Sequence, residues 1–148
     1  MGVRLLGSRQ VEGMTDAQID AALDKFIIDC HTQARTTIKR AGRLYSNRLK
    51  QNTPVNPRKK KDHARDNIVV SNIKSEGHIP YLEVGYRVRG PIGWYIHFPD
   101  GGTTVRGTVG QPPQHFIERT IKETERPVKA LYRNGLQKAF DKANGGKV

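Results

Sequence analysis

The chain has 148 residues and one cysteine, which suits a single domain spanning 1–148 with one modest core and rules out an internal disulfide. Lys and Arg number 26 against 14 Asp and Glu, a net charge of +12, while hydrophobic residues make up 35%: polar, but too apolar for a disordered chain. No stretch approaches the ~20 apolar residues of a membrane span, and Met1 to Met14 lacks the apolar run of a secretory leader. The reading is a soluble protein made in a cytoplasm.

The charge is unevenly placed. Residues 1–34 carry three basic and five acidic groups, a net of −2. Residues 35–65 carry eleven against one, a net of +10, and residues 66–148 a net of +4. A segment that basic attracts a polyanion or an acidic protein surface. Its plain alternative is a solvated basic face.

Residues 1–14 read as an N-terminal arm, in which Val3, Leu5 and Leu6 suit a short strand. Thr15-Asp16-Ala17-Gln18 is a capping box, with Thr15 as N-cap and Gln18 three residues on. Ile19, Leu23, Phe26, Ile27, Cys30, Ala34, Ile38, Ala41, Leu44 and Leu49 then recur at helical spacing. The expected helix runs to about Gln51, roughly 50 Å at ~1.5 Å per residue, with Gly42 as the place for a bend. Asp16, Asp20 and Asp24 lie early and Arg43, Arg48 and Lys50 late, as the helix macrodipole favours. Cys30 falls on the apolar stripe, where a buried thiol is the ordinary reading. A helix this long exceeds what so small a domain covers, so part of it is expected to meet a neighbour.

Pro54 and Pro57 stop the helix, and 52–66 reads as a basic loop carrying Arg58, Lys59, Lys60, Lys61 and Arg65. Ile68, Val69, Val70 and Ile73 mark a strand over 67–75, with a turn at Glu76-Gly77. Leu82, Val84, Tyr86 and Val88 alternate with polar residues, and Trp94, Ile96 and Phe98 alternate with Tyr95 and His97, each the period of a half-buried strand. Three strands joined by short turns make an antiparallel meander. Residues 99–113 form a Gly/Pro-rich loop carrying Arg106. A last helix opens near Pro112 or Pro113, where proline is tolerated, and Pro127 is expected to kink or split it. Residues 143–148 read as a disordered tail. The fold class is α+β: a long N-terminal helix and a C-terminal helix packed on one face of a small antiparallel sheet.

Catalytic templates fail. His31, His63, His78, His97 and His115 have no zinc-helix spacing, and one cysteine builds no thiolate site, so neither metal nor cofactor is expected. Gly101-Gly102-Thr103-Thr104 lacks the lysine of a phosphate loop. Asp62-His63 drawn as a nuclease acid–base pair has no second histidine or carboxylate beside it. Only Tyr45 interleaves with the basic segment, too few aromatics for a single-strand stacking platform. The chain reads as a non-enzyme.

Several segments in order carry a further signal: Asn52–Val55 (NTPV), His63–Val70 (HARDNIVV), Glu83–Tyr86 (EVGY), Trp94–Thr103 (WYIHFPDGGT) and Gly110–Ile121 (GQPPQHFIERTI). Together they resemble the tail-completion or head–tail joining proteins, the neck and minor-tail family of long-tailed bacteriophages. The resemblance spans roughly residues 15–142. It departs in the loop after the Pro-Val turn, which here reads Asn56-Pro57-Arg58-Lys59-Lys60-Lys61. It implies a structural virion protein that forms a ring, usually six-fold, at the head–tail interface, contacts neighbouring neck and tail-terminator or tail-tube proteins, and lets DNA pass through its lumen. The interface or DNA-facing candidates are then Arg43, Arg48, Lys50, Arg58, Lys59, Lys60, Lys61, Arg65 and Arg106. The competing reading is a free-standing basic nucleic-acid-binding protein acting through residues 35–65, and a third is a small nuclease centred on Asp62-His63.

Overall fold

The computed structural model describes residues 15–55, 57, 58, 60, 63–87, 96–105, 107–143 and 145, together with the backbone of Arg4–Leu5 and Arg9–Gln10. Expectations for the rest of the arm, the end of the second strand, Trp94, Tyr95 and most of the terminal tail lie outside the described residues. The class is the expected one, α+β, with a long N-terminal helix, a C-terminal helix and small antiparallel sheets.

Strands β1 (Arg4–Leu5) and β2 (Arg9–Gln10) pair antiparallel in the arm. Helix α1 runs over Asp16–Asn52. Its capping box forms as read: the Thr15 amide donates to Gln18 Oε1 at 2.9 Å, and the Gln18 amide to Thr15 Oγ1 at 3.4 Å. The basic loop is shorter than expected, because Asn52 still belongs to α1 and Ala64–Asn67 form a 3-10 turn.

The expected strand over 67–75 is two strands, β3 (Ile68–Val70) and β4 (Lys74–Glu76), and β5 (Ile79–Tyr81) and β6 (Val84–Tyr86) answer them. β3 pairs with β6 in the register Ile68↔Tyr86, and β4 with β5 in the register Lys74↔Tyr81. Three residues separate β3 from β4, but only two separate β5 from β6. The extra residue breaks one ladder into two, as a β-bulge does. Ser71 accommodates it: its amide donates to Glu83 O at 2.8 Å and its Oγ accepts from the Glu83 amide at 2.9 Å. Gly77, with φ +58°, supplies the turn between β4 and β5.

The third meander strand is a correction. His97–Gly101 form a short helix, α2. Strands β7 (Thr103–Val105) and β8 (Thr108–Gln111) then pair as a separate hairpin, so among the described residues the sheets are four two-stranded ladders and not one meander. Helix α3 covers Phe116–Ala143, starting later than the prolines suggest and running unbroken through Pro127.

Contacts divide the chain into two compact units: Met1–Ile38 with Lys129–Val148, and Lys39–Val128. In the second unit Leu49, Ile68 and Phe116 form the core, with Tyr45, Val84, Tyr86, Ile96 and Ile117 packed against them. Each fully buried side chain of the size of Leu49 or Phe116 contributes about 1.5–3 kcal/mol relative to exposure. Leu82 lies against α1 at Gly42, where a Cβ would come within 2.8 Å of its Cδ1. The apolar positions Leu82, Val84 and Tyr86 therefore face helix, as their alternation implied.

In the first unit α1 and α3 pack through Phe26 and Phe140, with ring centroids 5.5 Å apart. Ala139 is fully buried. A Cβ on Gly135 would run into Thr37 Oγ1, so the glycine is what lets the helices approach here. Lys142 Nζ pairs with Asp29 Oδ1 at 2.6 Å, while the buried Asp29 Oδ2 has no hydrogen-bond partner among the described residues.

Candidate interaction surfaces

The basic candidates separate into groups once placed. Lys39, Arg43 and Lys50 fall within about 40° of one another on α1 at 100° per residue. All three are exposed, as is Arg40 beside them. None of the four has an ion-pair or hydrogen-bond partner among the described residues. Lys39 belongs to this stripe although it was not singled out in the sequence, where the helical period was the signal that identifies it, and Arg40 flanks it at about 60–100° around the helix.

Arg48 lies on the opposite side of the helix and does other work. Its Nε donates to Glu123 Oε2 at 2.6 Å and its guanidinium to Gln51 Oε1 at 2.9 Å. Asn52 Nδ2 donates to the same Glu123 oxygen at 2.8 Å and to Thr120 Oγ1 at 3.0 Å. The Asn52 and Arg48 hydrogen bonds, in that order of weight, hold the Glu123 carboxyl below the usual carboxylate range. Arg48 thus ties α1 to α3 within the second unit. A cleft of about 350 Å³ lies beside this cluster, bounded by Leu44, Asn47, Glu123 and Pro127.

Arg58 and Lys60 are exposed on the loop after α1. Arg65 sits in the 3-10 turn, 3.8 Å from Asp66, an exposed pair of little energetic weight. Lys59, Lys61 and Arg106 lie outside the described residues, as does Asp62, so the Asp62-His63 pair has only its histidine described. His63 is half-buried, and its carbonyl accepts from Asp66 N and Asn67 Nδ2.

The segment Phe98-Pro99-Asp100-Gly101-Gly102, read as the last residue of a strand and the start of the Gly/Pro-rich loop, is the start signal of α3. Asp100 Oδ1 accepts from the Ile117 amide at 3.0 Å, and its carbonyl accepts from the His115 amide at 3.0 Å. The Pro99 carbonyl accepts from Gln114 N. Orphan donors of the first helical turn are thereby satisfied from 17 residues upstream. His115 pays for the tight entry with φ +48°. Gly102, at φ +78°, brings the loop so close to Gln111 O that a Cβ would sit 2.9 Å away.

A polar link also crosses the core between the end of α1 and β6. Thr53 Oγ1 donates to Leu49 O and lies 2.6 Å from Tyr86 Oη. Burial pushes the Tyr86 phenol up to about 12, against the opposing effect of the Thr53 hydrogen bond.

The apolar surface of the first unit is only partly covered. Leu23, Ile27 and Ile28 on α1 are 41%, 52% and 64% exposed, and Tyr132 and Leu136 on α3 are 44% and 54% exposed. A groove of about 300 Å³ runs between Cys30, Ala34 and Thr37 on one side and Tyr132, Leu136 and Ala139 on the other. Cys30 is half-buried there, its thiol pushed up by burial and then by the Asp29 carboxylate. Among the described residues there is no group of three or more His, Cys, Asp or Glu side chains placed to hold a metal, and no helix long and apolar enough to cross a membrane.

No family model, curated protein or solved structure matches this chain.

Proposed function

We propose that the chain is a structural virion protein of a tailed phage. In this reading it forms a ring, six-fold as in the family it resembles, at the head–tail interface, meeting neck and tail-terminator or tail-tube neighbours with DNA passing through the lumen. The observation that carries the reading is the ordered motif series. Those segments make the framework of the second unit: Asn52–Val55 ends α1, Glu83–Tyr86 leads into β6, Phe98–Thr103 caps α3, and Gly110–Ile121 brings in β8 and the first turn of α3. Supporting it are uncovered apolar side chains on α1 and α3, and a stripe of cations left without partners within the described chain. Assembly proteins bear such surfaces because their complement belongs to another subunit.

Disrupting the gene in the phage that carries it tests the reading. The expected lysate contains DNA-filled heads and finished tails that are not joined, seen by negative-stain microscopy. Normal joined particles overturn it.

The partnerless stripe also favours a second reading, nucleic-acid binding by the free protein. Each neutralised phosphate releases a counterion, so binding by this route falls steeply with salt. Duplex DNA affinity that is unmeasurable near physiological salt removes this reading and leaves the first untouched.

A further inference from the structure

We infer that α1 is its own partner in trans: the acidic, apolar start of α1 in one copy receives the basic stripe of α1 from the next. The inference rests on the ring reading and names the surfaces that would close it.

The receiving surface is an apolar seam. Leu23, Ile27, Cys30 and Ala34 recur at steps of four, three and four, the spacing by which one helix accepts another. Cys30 and Ala34 line the groove with Tyr132 and Leu136, while Leu23 and Ile27 continue the seam onto uncovered helix. Asp20 and Asp24 border it, and Asp16 stands at its start. All three are exposed and have no ion-pair partner among the described residues.

Charge complementarity selects the occupant. Segment 1–34 is net negative and segment 35–65 strongly positive, so every copy carries both halves of a match. Lys39 and Arg43 repeat the four-residue spacing of Asp20 and Asp24, about 6 Å along the axis. Their methylene stems suit cover over Leu23 and Ile27 while the charged heads reach the carboxylates. Two different patches in contact make a heterologous, head-to-tail interface, which closes into a ring when the rotation per copy permits. The contact also relieves the repulsion that +12 subunits otherwise impose on one another.

Charge exchange tests this with the full-length protein. Two variants are made, Asp20→Arg with Asp24→Arg, and Lys39→Glu with Arg43→Glu, and helix content is checked by circular dichroism. Light scattering after size exclusion, near physiological salt, reads the oligomer. Wild type is expected to associate, each variant alone to associate at least tenfold more weakly, and an equimolar mixture of the two to recover wild-type mass. Wild-type association by both separate variants overturns the surface but leaves the ring reading standing. Loss of association with Arg133→Glu, a residue of α3 that also lines the groove, while the exchanges have no effect, assigns the groove to another contact and overturns the inference. Folded variants whose mixture does not recover overturn it too. A wild type that stays monomeric at every concentration overturns it as well, and removes support from the ring reading, whose own test is the gene disruption.

Discussion

Replacing Gly135 with alanine probes how closely α1 and α3 approach in the first unit. In an exposed helix interior this change stabilises by about 1 kcal/mol, because glycine loses more backbone entropy on folding. Here the new methyl group runs into Thr37 Oγ1, whereas Thr37 Cβ at 3.5 Å and Cγ2 at 3.7 Å are at ordinary contact distance. Thr37 is 5% exposed, so its hydroxyl has little room to retreat. Overpacking of this kind costs about 1–3 kcal/mol. The balance is a loss of up to about 2 kcal/mol. For a chain of this length 1 kcal/mol moves Tm by about 3 °C, so Gly135→Ala is expected to lower Tm by up to about 6 °C. Thr37→Ala removes the offending oxygen. In that background the same Gly135→Ala change should raise Tm by up to about 3 °C, the propensity gain now unopposed. Four proteins melted side by side form a double-mutant cycle, with an expected coupling of about 1–3 kcal/mol, the overpacking cost itself. A rise in Tm in both backgrounds would refute the close approach.

Other expectations follow from the second unit. Phe116→Ala, at a side chain with no exposure, should cost about 3–5 kcal/mol in denaturant unfolding; a cost near zero would show that Phe116 is not the centre of the core. Asp100→Ala removes the cap of α3 and should cost about 1 kcal/mol, a Tm shift of about 3 °C, whereas a surface aspartate without that role would shift nothing measurable. Tyr86 should titrate near pH 12 by ultraviolet absorbance. Its folded value is raised, so its contribution to stability is full below about pH 10, the usual phenol value, and is lost as pH rises toward the folded value. Tyr86→Phe should flatten that alkaline loss. Glu123 runs the other way: its folded value is lowered, so its contribution is present above about pH 4.3 and fades as pH falls through the folded value. Glu123→Gln should therefore narrow its stability gap to wild type in acid, and a gap independent of pH would rule this out.

The long helix was legible because its signals are local. The Thr15/Gln18 box and the three-and-four apolar rhythm lie within the helix itself, and the expected and observed ends differ by a residue. The sheet was less so. An extra residue between β3 and β4 carries no glycine or proline to mark it, and only its opposite strand reveals the mismatch in count. The run Trp94, Ile96, Phe98 alternates as a strand should, yet His97 to Gly101 coil because Asp100 is held by the amides at the start of α3, a long-range demand that alternation cannot register. For the same reason the start of α3 was placed at its prolines. Among the basic candidates, composition treated Arg43, Arg48 and Lys50 alike. The helical period already separates Arg48 from the other two, but its partner Glu123 lies 75 residues away, and that distance hid the pair.

The cap from Asp100 also sets an order of events during synthesis. The ribosome releases Asp100 well before Ile117, and domains generally fold from the N-terminus as the chain emerges. The carboxylate that fixes where α3 begins is therefore already outside when the helix it serves appears. Since forming the first turn of a helix is its unfavourable step, a circularly permuted chain opened between Gly102 and Phe116 would release α3 without its start signal and should fold more slowly than the natural order.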